Sequence, residues 1–494
     1  MYSIGIDLGS SSVKVAIIKT ATGECMTTLH EPATEMEIHA PEKGWAEQNP
    51  AIWWAYTCKA IQRALEETQI DATDIQSIGI AYQMHGLVLL DDKGNVLRNS
   101  IIWCDSRAVS IGHQAYEDLG AQKCSHQLLN SPGNFTASKL KWVKDNEPDL
   151  YNAIHKYMLP GDYIAYKLSG IINTTKNGLS EGILWDYKNH TLADVLLEHY
   201  DIDKHLTPTL TENFTLQSKV NTKASKETGL NVGTVITYRA GDQPNNALSL
   251  GVFEPGQAAL TGGTSGVMYA VTAQSTFEEI QRVNQFAHVN YTAETPNVGR
   301  LLNINGAGIQ YRWLLNNTKA SSYEEMNTKV ATAPIGADGL VLFPFGNGAE
   351  RMFHNRIIGT HIKNLDLNRH QEAHLYRAGL EGIAFAFIYG MELLKEDHTE
   401  IHTLRAGNDN LFRSEVFGTT IATLIEQPIE IYNTTGAVGA ARAASLKDHD
   451  FTSFSKQIVS NDHVMTYHPA KDASQYQEAY LHWKKELEHT LKNN

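Results

Sequence analysis

The chain has 494 residues, of which 42% are hydrophobic and 19% are charged, and its formal net charge is −14. This length is too great for one hydrophobic core and predicts two domains, while the acidic charge argues against nucleic acid or an anionic membrane as a partner. The four cysteines show no CxxC spacing and no run of residues is apolar enough to span a membrane, so we expect a cytoplasmic protein with free thiols.

The N-terminal residues predict a strand, a loop and a second strand, over Tyr2–Ile6, Asp7–Ser12 and Val13–Ile18. The loop combines a carboxylate, a glycine that permits close approach of the backbone, and three hydroxyls: Asp7, Gly9, Ser10, Ser11 and Ser12. Hydroxyl and N–H donors suit phosphate, and a carboxylate suits Mg²⁺ bound through water. We therefore expect a phosphate loop with Asp7 near the metal. Lys14 is equally consistent with a phosphate ligand and with a solvated side chain.

The following segment predicts strands at Ile78–Tyr82, Leu87–Leu90 and Val96–Trp103. The first of these strands ends in the sequence Gln83-Met84-His85-Gly86. An acceptor with several hydroxyls requires short polar side chains at the ends of such elements, and these candidates are Gln83, His85, Asp105, Arg107 and Gln243. A buried histidine without any such role is the alternative for His85.

Asp242 is the strongest candidate for a catalytic group. An apolar strand beginning at Val235 leads to Gly241, then to this carboxylate, and then to Pro244 at the start of a helix. Ligands of α/β proteins bind at this carboxyl edge of the sheet. We expect the helix N-terminus to keep Asp242 ionised, as a weak base that accepts the proton of an attacking hydroxyl during phosphoryl transfer. A plain helix N-cap is the alternative.

A second strand–loop–strand unit lies about halfway along the chain, over Gln257–Leu260, Thr261–Gly266 and Val267–Val271. We interpret the two units as a structural repeat, with Thr264 and Ser265 clamping phosphates opposite the first loop; two unrelated hairpins are the alternative. The domain boundary is predicted near Asn246–Pro255, which gives domains at 1–247 and 248–494. Further elements predicted in the second half are the strands Leu340–Phe343, Ile401–Leu404 and Ile429–Tyr432 and a buried helix at Leu375–Leu394.

Several common motifs are excluded. Gly178-Leu179-Ser180-Glu181-Gly182 matches a nucleophile elbow in letters, but polar residues precede it where a buried strand is required. His370 and His374 lack a third metal ligand, so a surface helix face is the better interpretation. The chain contains no Gly-Lys dipeptide and no GxGxxG after a strand, which excludes a Walker A loop and a standard dinucleotide fold.

The ordered set of motifs resembles the FGGY carbohydrate kinases, and within them the xylulokinases, over essentially the whole chain. In the first half the resemblance is carried by Asp7–Ser12, Gly44–Gln48, Gln83–Gly86, Trp103–Arg107, Leu159–Tyr163 and Gly241-Asp242. In the second half it is carried by Gly263–Gly266, Gly306–Gln310, Glu350-Arg351 and Gly436–Ala441.

This resemblance implies two ribonuclease-H-like domains of the actin/hexokinase superfamily, an α/β fold with the active site in the interdomain cleft. It implies transfer of phosphate from ATP, with Mg²⁺, to the 5-hydroxyl of D-xylulose. It also implies a homodimer, with the sugar and ATP as small-molecule partners. Another ketose or polyol (L-ribulose, L-fuculose, sedoheptulose or erythritol) remains open as the substrate, and so does a sugar sensor that performs no catalysis.

By motif match, the resemblance assigns Asp242 as proton acceptor and Asp7 to Mg²⁺ and the phosphates. The sugar-contacting positions are Gln83, Met84, His85, Asp105 and Gln243. The nucleotide positions are Gly9, Ser10, Ser11, Ser12, Gly263, Thr264, Ser265, Gly306, Gln310, Gly407 and Asn410.

Overall fold

The computed structural model describes residues 1–446 and 450–493 and shows two α/β lobes, each built on one large sheet. The first sheet has six strands, in the spatial order Ser218–Lys219, Val235–Gly241, Ile75–Tyr82, Tyr2–Leu8, Val13–Lys19 and Cys25–Glu31. The second sheet has seven strands, in the spatial order Asn284–Ala287, Val298–Ile304, Gly266–Thr272, Gln257–Gly262, Thr403–Gly407, Ile429–Tyr432 and His463–Tyr467. No helix within the described ranges is both long enough and apolar enough to cross a membrane.

The two sheets repeat one strand arrangement. Tyr2–Leu8 pairs antiparallel with the next strand and parallel with Ile75–Tyr82. Gln257–Gly262 likewise pairs antiparallel with the next strand and parallel with Thr403–Gly407. In each lobe a second parallel neighbour follows, which is Val235–Gly241 in the first and Ile429–Tyr432 in the second. This confirms the predicted repeat and the ribonuclease-H-like α/β fold class.

Helices cover the sheets and build a large insertion in the first lobe. The helices of eight or more residues are Pro50–Thr68, Val109–Leu119, Thr136–Asn146, Pro160–Ser169, Asp242–Ser249, Ala307–Asn317, Tyr323–Val330, Glu372–Glu396, Glu415–Leu424, Gly436–Ser445, Phe451–Asp462 and Ser474–Asn493. Shorter helices lie at Pro148–Asn152, Lys176–Glu181, Asp194–His199 and Thr222–Thr228. The predicted buried helix is confirmed as Glu372–Glu396, whose charged Arg377 and Glu381 pair with each other at 2.7 Å.

The predicted strand Val96–Trp103 is wrong over most of its length. Only Ser100–Ile101 forms a strand there, as a two-residue ladder with Glu47–Gln48. The apolar spacing suggested a longer strand, but the Arg98 side chain instead forms ion pairs with Glu47 and Glu147. These tertiary contacts determine the path of the segment more strongly than its local β propensity does.

The helix Gly436–Ser445, here called the interlobe helix, belongs to the second lobe in sequence but packs against the first sheet. Its close approach depends on glycines, because a Cβ on Gly5 would lie 1.9 Å from the carbonyl oxygen of Ala437, and one on Gly79 would lie 2.0 Å from that of Ala440. The small side chains of this helix form a buried cluster with Ala16 and Ile18 of the first sheet. The two lobes are therefore joined by a packed contact as well as by the chain.

Candidate active site

Three parallel strands bring the main candidate residues to one edge of the first sheet. Tyr2–Leu8 contains Asp7 at its end, Ile75–Tyr82 precedes Gln83, and Val235–Gly241 precedes Asp242. Because these strands are neighbours and run the same way, their carboxyl ends coincide. The structure therefore places the two carboxylates and the loop Gln83–Gly86 at one edge of the first sheet, while their catalytic and sugar-binding roles stay predictions.

Asp242 is partly buried in the first turn of the helix Asp242–Ser249. The pKa of its carboxyl is raised to about 7, mainly by burial and also by the negative charge of Asp7, while hydrogen bonds from Gln243 and the charge of Lys14 partly oppose the shift. From the sequence we expect the helix N-terminus to keep Asp242 ionised, as a weak base. That expectation is wrong, because burial and the second carboxylate outweigh the helix. A group with this pKa can accept a proton near neutral pH.

Asp7 lies opposite Lys14 in the antiparallel ladder, and the distance from Lys14 Nζ to Asp7 Oδ2 is 3.9 Å. Burial raises the pKa of Asp7, and Lys14 partly offsets this effect. The interlobe helix begins beside the same carboxylate, since a Cβ on Gly436 would lie 2.7 Å from Asp7 Oδ2. Asn245 reinforces this contact by donating a hydrogen bond of 2.9 Å to the Gly436 carbonyl.

The first phosphate loop is a tight turn, in which Gly9 N donates to the carbonyl of Ser12 at 3.0 Å. Ser11 is exposed, and Ser10 and Ser12 are partly exposed, so their polar groups remain available to a ligand. Two side chains hold the turn from outside: Gln48 Nε2 donates to the Ser10 carbonyl at 2.7 Å, and Trp103 Nε1 donates to Ser10 Oγ at 3.3 Å.

The predicted sugar loop contains Gln83, Met84 and His85 and comes directly after the strand Ile75–Tyr82. Gln83 Nε2 donates to Gln48 Oε1 at 3.3 Å, whereas Gln83 Oε1 is buried without a hydrogen-bond partner in the described residues. His85 has a left-handed backbone with φ of 61°, and burial lowers the pKa of its ring to about 3, so the ring is neutral. Its ring contacts Phe135 of the first lobe and Phe286 of the second, with centroid distances of 4.6 and 5.3 Å.

Asp105 does not face the cleft in this structure, contrary to its assignment as a sugar ligand. The side chain is fully buried. Its carboxylate accepts hydrogen bonds from Ala46 N at 2.6 Å, Arg107 N at 2.9 Å and Arg107 Nη2 at 2.7 Å. The Arg107 guanidinium in turn lies 3.8 Å above the Trp45 ring. Because these donors occupy both oxygens, Asp105 and Arg107 brace the loop behind the site.

In the second lobe, the predicted nucleotide loops contact one another. Ile309 N donates to the Thr264 carbonyl at 3.0 Å, and a Cβ on Gly308 would collide with the Gly263 carbonyl. Gly262 N donates to Asp409 Oδ2 at 2.8 Å, which joins the loop Thr261–Gly266 to the loop that contains Gly407 and Asn410. Thr264 and Asn410 are exposed, while Ser265 and Gly407 are partly exposed.

The structure divides the predicted nucleotide contacts between two cavities. Asn410 lines a cavity of about 790 Å³ together with Tyr323, Asn327 and Arg413. Gly306 and Gln310 line a different cavity of about 590 Å³. The buried Gln310 Nε2 has no hydrogen-bond partner within residues 1–446 and 450–493. The sequence pattern predicted these positions as one group and did not indicate that they line different cavities.

Three polar residues of the site received no role from the sequence. Asn245 follows the candidate base by three residues but carried no expectation, and Lys139 lies in a helix whose other lysines, Lys141 and Lys144, are partly exposed. Glu181 lies in the segment Gly178–Gly182, which was considered only as a nucleophile elbow. Each contacts its partner across a long sequence separation, so local spacing offered no signal.

Comparison with known proteins gives a consistent picture. The model of the FGGY family of carbohydrate kinases, N-terminal domain, matches residues 2–249. The xylulose kinase of Bacillus subtilis strain 168 is 27% identical over 505 residues, which cover 99% of this chain and 97% of that protein. The xylulose kinase of Escherichia coli K12 is 29% identical over 449 residues, covering 90% and 89%. A xylulose kinase structure from Rhodospirillum rubrum has a TM-score of 0.88 at 22% identity, covering 100% and 99%, and shows the same fold.

Proposed function

The chain belongs to the FGGY family of carbohydrate kinases, and on this premise we propose that it transfers the terminal phosphoryl group of ATP to the 5-hydroxyl of D-xylulose. The products are D-xylulose 5-phosphate and ADP. The names of the two similar enzymes from Bacillus subtilis and Escherichia coli support this substrate. The first lobe, residues 1–247, supplies the sugar loop and the base, and the second lobe, residues 248–494, supplies most of the nucleotide contacts.

The observation that carries the proposal is the environment of Asp242. Its carboxyl is partly buried at the carboxyl edge of the first sheet, and its pKa of about 7 places it between the acid and base forms at neutral pH. Asp7 lies close enough to contribute to that pKa. In this arrangement Asp242 accepts the proton of the sugar hydroxyl as the hydroxyl oxygen bonds to the phosphorus and the bond to ADP breaks.

Asp7 suits a magnesium ion that keeps most of its water. The carboxylate is held away from bulk solvent, and its ion-pair partner Lys14 is 3.9 Å away, so an oxygen remains available for a cation or its water. The described residues contain no group of three or more His, Cys, Asp or Glu side chains arranged for a metal. When bound, Mg²⁺ would neutralise phosphate charge, and Asp7 would hold it with help from the nucleotide itself.

The phosphates of ATP are assigned to the two strand–loop–strand units. Ser10, Ser11 and Ser12 offer hydroxyl and amide donors from the first lobe, and Gly263, Thr264 and Ser265 offer them from the second. The remaining nucleotide contacts are assigned to Gly407 and Asn410, beside the cavity that Asn410 lines, and to Gly306 and Gln310, which line the other cavity.

The sugar loop presents acceptors for hydroxyl groups. His85 is neutral, and its Nδ1 is committed to the carbonyl of Glu181 at 2.8 Å, which leaves Nε2 as an acceptor. The unpaired Oε1 of Gln83 is a second acceptor. Gln243 and Met84 complete the contacts that we assign to the sugar. Asp105 acts from behind by bracing the loop.

The decisive experiment measures ADP release by the purified protein with Mg²⁺ and a panel of D-xylulose, L-ribulose, L-fuculose, sedoheptulose and erythritol. We expect D-xylulose to have the highest kcat/KM. A higher kcat/KM for another sugar would retain the kinase and change its substrate. Sugar binding by calorimetry without phosphorylation of any panel member would instead support a sensor. The predicted homodimer is tested separately by light scattering.

A further inference from the structure

We propose that Lys139 and Glu181 are positioning residues for His85. Lys139 holds its carbonyl and Glu181 holds its amide and ring Nδ1, and together they fix the orientation of the ring nitrogen that we assign to the sugar. The inference rests on the proposed sugar kinase function and extends it to two residues with no assigned role. Both side chains are buried, with exposures of 0% and 1%, and neither contacts the predicted nucleotide loops.

Lys139 holds the backbone on one side of His85. Its Nζ donates to the carbonyl of His85 at 2.9 Å and to the carbonyl of Ile102 at 2.9 Å. These carbonyls lie on two separate loops, one after the strand Ile75–Tyr82 and one after Ser100–Ile101. One ammonium group therefore joins the sugar loop to the loop that leads to Asp105. In the described part of the chain no carboxylate forms an ion pair with Lys139, although the charge of Asp105 favours its ammonium form. Burying such a group is expensive, so these two contacts need a reason to persist.

Glu181 holds His85 at two other atoms. Its carboxylate Oε1 accepts a hydrogen bond from His85 N at 3.3 Å. Its backbone carbonyl lies 2.8 Å from His85 Nδ1, and because a carbonyl can only accept, Nδ1 must carry the hydrogen. Nε2 is consequently an acceptor, which is the form needed to receive a hydrogen bond from a sugar hydroxyl.

The backbone of His85 explains why holding is needed. A φ of 61° is uncommon for a residue with a side chain and persists only where the surroundings impose it. Lys139 at the carbonyl and Glu181 at the amide fix the peptide groups on both sides of that torsion. The aromatic contacts with Phe135 and Phe286 then limit rotation of the ring.

Lys139 and Glu181 both form hydrogen bonds with His85 and do not pair with each other in the described residues. No ion pair joins them within the described residues, although each influences the other's charge at longer range. Burial lowers the pKa of Lys139 to about 7, and burial together with the charges of Asp242 and Asp162 raises the pKa of Glu181 well above its ordinary value. Its second oxygen, Oε2, is buried without a hydrogen-bond partner in the described residues and lies against Gly241, the neighbour of Asp242.

The test compares Glu181→Ala, Glu181→Gln and Lys139→Met with Lys141→Met. Lys141 lies on the same helix as Lys139 but forms a surface ion pair with Asp145, which makes it a matched control. We expect Glu181→Ala and Lys139→Met to raise the KM for the sugar by about 10- to 100-fold, a usual result of displacing a contact residue, with the KM for ATP changed less than about twofold. Glu181→Gln should keep the sugar KM within a few-fold of the parent, because its amide oxygen can accept the same hydrogen bond from His85 N.

The separation of KM from kcat provides a readout that a purely structural role would not change. A variant that is only less stable loses active enzyme and therefore apparent kcat, but its active fraction keeps the sugar KM of the parent. A misplaced His85 raises the sugar KM instead.

An unchanged sugar KM in folded Glu181→Ala and Lys139→Met would refute the positioning role, and so would a Glu181→Gln variant as impaired as Glu181→Ala. Tm measurements identify variants that simply fail to fold. In that case the sugar affinities of Glu181→Gln and Lys139→Arg, measured by calorimetry, are compared with that of the parent to test the positioning role. Failure of the proposed function looks different, since the parent itself would then not phosphorylate D-xylulose. The same comparison would be made with whichever panel sugar the parent binds.

Discussion

Asp7 and Asp242 are two carboxylates at the ends of strands in one sheet, and the negative charge of the first raises the pKa of the second. Burial is the larger cause, and Lys14 partly opposes the shift. The site therefore holds its base near the midpoint of titration at neutral pH, where a small change in surrounding charge alters the fraction able to accept a proton.

Asp242→Ala is expected to reduce kcat by about 10²- to 10⁴-fold, the usual contribution of a general base. The variant should still bind the sugar, because the groups assigned to the sugar lie mainly on the loop after Ile75–Tyr82. Steady-state kinetics and calorimetry on the same preparation check both parts. A variant with parental turnover would remove Asp242 from the mechanism.

The pH dependence should follow the charges around Asp242. We expect kcat/KM to fall as the pH drops below about 7, because the protonated carboxyl cannot accept a proton. Lys14→Met removes a charge that lowers this pKa, so the acid limb should move to higher pH. Asp7→Asn removes a charge that raises it, so the limb of its residual activity should move to lower pH. Lys19→Met, at the far end of the same strand as Lys14, is the control and should leave the limb unchanged.

The same pKa has a consequence for stability. The folded pKa is raised above the ordinary value near about 3.9, so the native state binds more protons than the unfolded state between about pH 4 and 7. The free energy of unfolding therefore decreases as the pH rises through that window. Asp242→Asn stays neutral and should have a higher Tm than the parent at pH 8, with the difference shrinking toward pH 5. A constant difference across this range would contradict the assignment.

The nucleotide assignment predicts a separation of kinetic effects. Asn410→Ala should raise the KM for ATP severalfold and leave the KM for the sugar unchanged, because Asn410 lies on the second lobe beside the cavity of about 790 Å³. Gln310→Ala tests the other cavity in the same way. If only one of the two variants raises the KM for ATP, the substituted residue identifies the cavity that receives the adenine ring.

Gly5→Ala tests the interlobe contact. The new Cβ would lie 1.9 Å from the Ala437 carbonyl, and overpacking of this kind costs about 1–3 kcal/mol. Gly299→Ala is a matched control, since its Cβ would meet the Tyr269 ring at 1.9 Å within the second lobe alone. Both should lower Tm. Only Gly5→Ala should separate the unfolding of the two lobes in calorimetry, and a single sharp transition in that variant would argue against the coupling.

The sequence predicted those parts of the fold and site that depend on local pattern. The apolar runs before Asp7 and before Asp242 identify strands, and the Gly, Ser and Thr residues that follow identify loops, without knowledge of distant contacts. The segment Val96–Trp103 was mispredicted because Arg98 is directed by acidic residues far away in the chain.

The errors within the site have the same origin. The sequence predicts Asp105 as a sugar ligand, but both of its carboxylate oxygens accept hydrogen bonds from Ala46 N and Arg107. The pKa of Asp242 depends on burial and on Asp7, which a helix-end argument cannot supply. Lys139 and Glu181 reach His85 from positions 54 and 96 residues away, so no spacing rule could place them.

The packing of the interlobe helix affects how the chain folds while it is being synthesised. Gly5 leaves the ribosome long before Ala437, which covers it, and at about 5–20 residues per second the interval is roughly 20 to 90 seconds. Throughout that interval the nascent first sheet has one bare apolar face. We therefore expect growing chains to need chaperone protection until the interlobe helix emerges, and a gene truncated before residue 436 to yield aggregates.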